Sequence, residues 1–240
     1  MSKALVGPEQ ITGAPRRALL IIAGPSGVGK ASVTEALLRR NPFIHRAMTF
    51  TTRAPRPGEV EKGQYHFVTP EAFEAKFASG EIMERTEVYG TGDLYGMPAD
   101  LLSGAPPDKP WVLTEVDANG KVFLEQRFPG QCVSIFVTAS PQILRHRILQ
   151  RAHDEGHSLE DLETRLAKAR EHMRSAAVFD YLILNEEDRL DEAVAAIETI
   201  IAAERLRIPA GFDLEAAFFE GETVGEATGA EARARNSKST

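Results

Sequence analysis

The chain has 240 residues, with 28 Lys and Arg against 35 Asp and Glu, a formal charge of −7, and 42% apolar residues. That is enough apolar material for one lobed domain or two small ones, and the acidic balance argues against a nucleic-acid partner. A single cysteine, Cys132, excludes an intrachain disulfide, and the absence of a signal-like start or a membrane-length apolar run makes a cytoplasmic protein with no membrane partner the expectation.

Residues 1–17 read as a flexible N-terminal arm. Leu19–Ala23 is the first of five apolar, β-rich runs, and it leads into a glycine-rich turn and a helical pattern over Ala31–Arg40. The turn fits G-x-x-x-x-G-K-[ST] at Gly24, Gly29 and Lys30, but Ala31 stands at the hydroxyl position. Ser32 is one residue further on, rotated by about 100° around a helix, so it is no simple substitute. Backbone N–H groups of such a turn cradle phosphate oxygens, the helix N-terminus adds its dipole, and the lysine reaches the outer phosphates. The missing hydroxyl is one that normally helps to hold Mg²⁺. A ligand-free strand-to-helix turn is the alternative, and it gives Lys30 no reason to be there.

Ala47–Thr51 is the second apolar run. The stretch Thr52–Pro98 then breaks the pattern with Gly, Pro, Arg and aromatic residues. Strand-like pieces at Tyr65–Val68 and Ile82–Val88 and a helix at Pro70–Ser79 make it a small lobe inserted between core elements. Arg53 and Arg56 flank Pro55, and guanidinium forks suit a phosphate, with Tyr65 as a nearby phenolic donor. In isolation the same residues read as a solvated basic turn, and Glu84 in its strand reads as a solvent-facing residue.

The remaining runs are Trp111–Val116, Cys132–Ala139 and Tyr181–Leu184, with Cys132 read as a buried strand residue. They alternate with helical patterns at Asn119–Phe128, Pro141–Ala152, Leu159–Ala176 and Asp188–Leu206. Strands alternating with helices predict an α/β fold with a parallel five-stranded sheet wrapped on both faces. The polar break Arg151–His157 is placed like a mobile lid. Residues 208–240 read as a flexible tail with one short helix at Asp213–Phe219.

The segment TTRAPRPGE at Thr51–Glu59, followed by Tyr65-His66-Phe67-Val68 and preceded by the Gly24–Lys30 turn, resembles the guanylate kinase family of P-loop nucleoside monophosphate kinases. The likeness runs from about Ala18 to Arg207. It implies a P-loop core at 18–48, 99–144 and 166–207, a GMP-binding lobe at 49–98 and a lid at 145–165. The implied reaction is phosphorylation of GMP, and of dGMP, by ATP with Mg²⁺. By resemblance ATP is held by Gly24, Pro25, Ser26, Gly27, Val28, Gly29, Lys30, Ala31 and Ser32, with Asn185 near the adenine. On its own Asn185 reads equally as a strand-ending turn residue. Arg53, Arg56, Tyr65 and Tyr95 would hold the GMP phosphate, and Lys30, Arg147, Arg151 and Arg165 would be the catalytic cations.

Thr49, Glu84 and Asp117 would read the guanine, and the chemistry suits those roles. A carboxylate accepts from guanine N1–H and the N2 amine, and a hydroxyl donates to O6. Adenine presents a lone pair at N1, a buried mismatch that discriminates by ~10⁴ or more. The chain departs from the family at Ala31, at Met97 in place of a small hydroxyl residue, and at Glu115 in place of Asp, the last a candidate to face Mg²⁺ or its water. Two other readings stay open: a silent module gripping phosphorylated peptides, and a P-loop kinase for another phosphorylated metabolite. Lys30 and the lid arginines argue for the enzyme, and Glu84 with the intact TTRAPRPGE segment argues for GMP.

Overall fold

The computed structural model describes residues 18–25, 27–55, 63, 65–87, 92–154, 167 and 169–208, with backbone alone at 151–154. Ser26, Arg56, Arg165, the Arg151 side chain, the N-terminal arm, most of the expected lid and the Asp213–Phe219 helix lie outside the described residues. The unit Pro15–Glu204 carries both sheets and the cleft between their ends.

The first strand, β1 (Ala18–Ala23), is buried along its whole length. Alternation of side chains across the sheet explains why it is continuously apolar. Leu20 and Ile22 enter one core with Val33, Leu37, Ile135 and Ile197, whereas Leu19 and Ile21 enter another with Val112, Leu124 and Leu101. Each such fully buried side chain contributes about 1.5–3 kcal/mol. Helix α1 (Lys30–Arg40) buries Val33, Ala36 and Leu37 and ends at Asn41, whose backbone N–H donates to Leu37 O.

The core sheet is parallel and five-stranded, in the order β2 (Ile44–Arg46), β7 (Trp111–Glu115), β1, β8 (Cys132–Thr138) and β9 (Tyr181–Leu184). Its second strand is not the expected run Ala47–Thr51. Ile44–Arg46 pairs with Trp111–Leu113, and the chain then crosses to give Thr49–Thr51 to a second sheet as β3. The apolar run straddles the crossing because Ala47 packs in the core while Phe50 packs in the lobe.

That second sheet has the order β4 (Tyr65–Phe67), β3, β6 (Leu94–Pro98) and β5 (Ile82–Glu87). Helix α2 (Pro70–Ala78) begins at Thr69, whose hydroxyl accepts from Ala72 N, with Pro70 in the first turn where its missing N–H costs nothing. It lays Phe73 on Phe50, Ile82 and Leu94, a small core of the lobe's own.

Helix α3 (Ala118–Arg127) follows β7, α4 (Pro141–Asp154) follows β8, and α5 (Leu190–Glu204) follows β9. Of the helix expected over Leu159–Ala176, residues 169–174 are helical, and Ser175–Val178 tighten into a 3-10 turn. No helix among the described residues is long and apolar enough to cross a membrane.

Candidate active site

Between the carboxyl ends of the core strands and the lobe's sheet lies a cleft of about 710 Å³. Open parallel sheets bind ligands at such a place, where successive connections leave a central strand in opposite directions. The turn after β1 forms one wall. Gly24 has φ 145°, and a Cβ there would stand 2.0 Å from Val137 O of the adjacent strand. Gly29 has φ 83°, and its Cβ would meet Asn185 Nδ2 at 2.6 Å. Only glycine satisfies both the backbone conformation and the close approach.

Gly29 caps α1 without any side-chain hydrogen bond, and the first turn of the helix has no acidic residue. The helix N-terminus therefore keeps its N–H groups and positive dipole end for an anion. Lys30 lines the cleft and donates from Nζ to Gly24 O at 2.6 Å and Pro25 O at 3.1 Å, which holds its charge at the turn.

The turn is braced from behind. Asn185, 5% exposed at the end of β9, donates from Nδ2 to Val28 O at 2.7 Å. Arg147 on α4 donates to Val28 O at 3.2 Å and to Asn185 O at 2.9 Å. Both residues thus meet the turn, and what they touch there is its backbone.

The lobe forms the opposite wall. Thr49, Tyr65, Glu84 and Tyr95 all line the cleft, as does Asp117 from the core side. Arg53 donates from Nε to Tyr95 Oη at 2.9 Å and lies 5.5 Å from the Tyr65 ring centroid, and the two tyrosine rings meet edge to face at 5.9 Å. A guanidinium fixed by aromatic rings loses little further freedom when it grips a phosphate. Glu84 is half-buried beside Met97, its register partner on β6. Burial first, then the Asp117 charge, push the Glu84 carboxyl above its ordinary value, while a hydrogen bond from Thr86 pulls it back. Asp117 caps α3 by accepting from Gly120 N at 2.8 Å, which fixes its carboxylate at the rim.

Other residues here were not singled out by motif. Arg46 pairs with Glu115 at 2.9 Å, joining the ends of β2 and β7. Glu171, His172 and Ser175 line the far side. Thr86 also lines the cleft, and its position two residues from Glu84 on a strand was the available signal. Cys132 is half-buried at the first position of β8, outside this cleft, rather than fully buried; burial above all pushes its thiol up to about 12, so it stays a thiol at neutral pH.

For a divalent cation the donor set is sparse. Among the described residues no group of three or more His, Cys, Asp or Glu side chains could hold a metal ion. Ala31 offers a methyl group, and Glu115 is partly neutralised by Arg46. These residues fit a cation that arrives on a nucleotide's phosphates and keeps its water, not one caged by protein.

The family model described as guanylate kinase matches residues 16–204. The guanylate kinase of Symbiobacterium thermophilum is 38% identical over 194 residues, covering 80% of this chain and 88% of that protein. The guanylate kinase of Nitrosospira multiformis is 38% identical over 190 residues, covering 79% and 87%. Among solved structures, the guanylate kinase from Anaplasma phagocytophilum matches with a TM-score of 0.65 at 26% identity, covering 86% of this chain and 95% of that one.

Proposed function

The chain belongs to the guanylate kinase family, and we propose from that membership and from the cleft that it transfers the γ-phosphoryl group of ATP to GMP, giving ADP and GDP. The observation that carries this reading is the meeting, in one cleft, of Lys30 on a phosphate-cradling turn, the Glu84 carboxylate on the facing lobe wall and the Asp117 carboxylate from the core side. The first suits the triphosphate of a donor. The two carboxylates suit the N1–H and N2 amine of a guanine acceptor.

Phosphoryl transfer asks little covalent help of a protein. It needs donor and acceptor phosphates in line and their repulsion offset. In the proposed reaction a GMP phosphate oxygen attacks the γ-phosphorus while the bond to the β,γ-bridging oxygen breaks. Lys30 and the N–H groups at the head of α1 hold the ATP phosphates. Asn185 and Arg147 keep that turn in shape, and Arg53 with Tyr65 and Tyr95 grips the GMP phosphate. By the family resemblance Arg56, Arg151 and Arg165 add positive charge.

Reactions of this family generally need a metal ion. We take it to be Mg²⁺ carried by ATP, which would offset charge on the outer phosphates, with Glu115 facing its water. A cytoplasmic setting belongs to the same proposal.

The test is release of ADP from ATP and Mg²⁺ with GMP, dGMP, AMP, CMP and UMP offered in turn. Turnover with GMP far above that with AMP, CMP or UMP is expected. Saturable GMP binding without turnover would overturn the reading in favour of a binding module.

A further inference from the structure

Glu84 has a partner that its own chemistry makes necessary. Its carboxylate is half-buried, it lies across β5 and β6 from Met97, which is 3% exposed, and Asp117 faces it with like charge. Both surroundings favour the protonated acid. A protonated carboxyl has lost acceptor capacity, and guanine presents two donors at N1 and N2. Something must keep Glu84 ionised and aimed.

We propose that Thr86 is a positioning residue for nucleobase recognition, its hydroxyl donating to Glu84 Oε1 and holding the carboxylate toward the guanine edge. The inference rests on the GMP reading above. Three observations carry it. Thr86 is two residues beyond Glu84 on β5, so both side chains stand on one face of the strand, and both line the cleft. Among the described residues, the Thr86 hydroxyl is the hydrogen-bond donor to the Glu84 side chain. Finally, Thr86 is the register partner of Tyr95, which holds Arg53, so the hydroxyl sits between the base-reading acid and the phosphate clamp.

Acceptor capacity allows all of this at once. An ionised carboxylate offers about four lone-pair sites. One serves Thr86, and the others face the two guanine donors. The hydrogen bond also lowers the Glu84 pKa against burial and Asp117, which favours the form that accepts. Thr86 is exposed to the cleft and belongs to no apolar core cluster, so its removal leaves the packing intact.

The experiment compares wild type, Thr86→Val and Thr86→Ser with ATP against GMP and IMP, IMP lacking the N2 amine. Loss of a hydrogen bond to a charged group predicts that Thr86→Val raises the KM for GMP roughly 10- to 100-fold. The KM for ATP is expected to stay at its wild-type value. The ratio of kcat/KM for GMP over IMP should fall, and Thr86→Ser should restore it. A GMP-selective wild type whose Thr86→Val variant keeps both its KM for GMP and its GMP-over-IMP ratio overturns the role of Thr86 alone. Thr86→Ser behaving like Thr86→Val would do the same, by making the methyl group the relevant feature. A wild type that does not distinguish GMP from IMP and AMP overturns the guanine reading itself, and the role of Thr86 with it.

Discussion

Glu84 carries the sharpest consequence of a single residue's surroundings. Its folded pKa is raised, by burial first and Asp117 second. A raised carboxylate contributes stability that is present below the unfolded value and lost as pH rises through the folded one. Glu84→Gln is therefore expected to melt above the parent at neutral pH, with the difference vanishing below the ordinary glutamate value of 4.5. Melting curves from acid to neutral pH test this. In the same variant kcat/KM for GMP should fall by at least about 100-fold, since two charge-assisted hydrogen bonds are weakened. Ala31 predicts the opposite direction. Ala31→Ser supplies a hydroxyl beside Lys30 and should lower the Mg²⁺ concentration giving half-maximal rate, measured by titration at fixed ATP. An unchanged titration would mean that water or Glu115 already serves. Lys30 was readable because it sits in a spaced motif, whereas Glu84, which on its own reads as a solvent-facing residue, and Tyr95 were singled out only by resemblance to the family. Arg46 was not readable, because it meets Glu115 only through the pairing of β2 with β7, and Thr86, although two residues from Glu84, gains meaning only once both line the cleft.

Among the elements, the lobe's sheet and α2 are held by a core of four buried side chains, Phe50, Phe73, Ile82 and Leu94, much smaller than the two clusters flanking the main sheet. Phe73 is fully buried there, so Phe73→Ala should destabilise by about 3–5 kcal/mol. The damage should fall on the lobe: KM for GMP rises, KM for ATP stays put, and amide exchange quickens in β5 and β6 ahead of β1 and β8. Equal quickening in both sheets would contradict a separate lobe core. Strand β1 was plain from its run of Leu and Ile, since a strand buried on both faces has no polar register to confuse it. Strand β2 was not. Ile44–Arg46 is three residues of mixed polarity, and the stronger apolar run beside it is divided between two sheets. Local pattern reports burial, and it does not say in which core the burial occurs.

As a whole molecule the chain is acidic, yet Lys30 lines the cleft and Arg53 is held by Tyr95 at its wall. Local convergence rather than net charge sets the field an anionic nucleotide meets. With a screening length near 10 Å at 0.1 M salt, the KM values for GMP and ATP should both rise as KCl goes from about 0.05 to 0.5 M. The kcat should change far less, because bound charges in contact are screened less. Steady-state kinetics across that range would detect a salt-independent KM, which would argue against this focusing. The order of residues was sufficient for the α/β class and for the glycine turn, with its lysine, that only an unhindered backbone can make. Those depend on neighbours within a few positions, where periodicity and turn chemistry act. Folding in space brought Asn185 and Arg147 onto the back of the turn, paired Arg46 with Glu115, and set Asp117 facing Glu84. These contacts join residues far apart along the chain, and strand order together with the packing of the helices decides which of them meet.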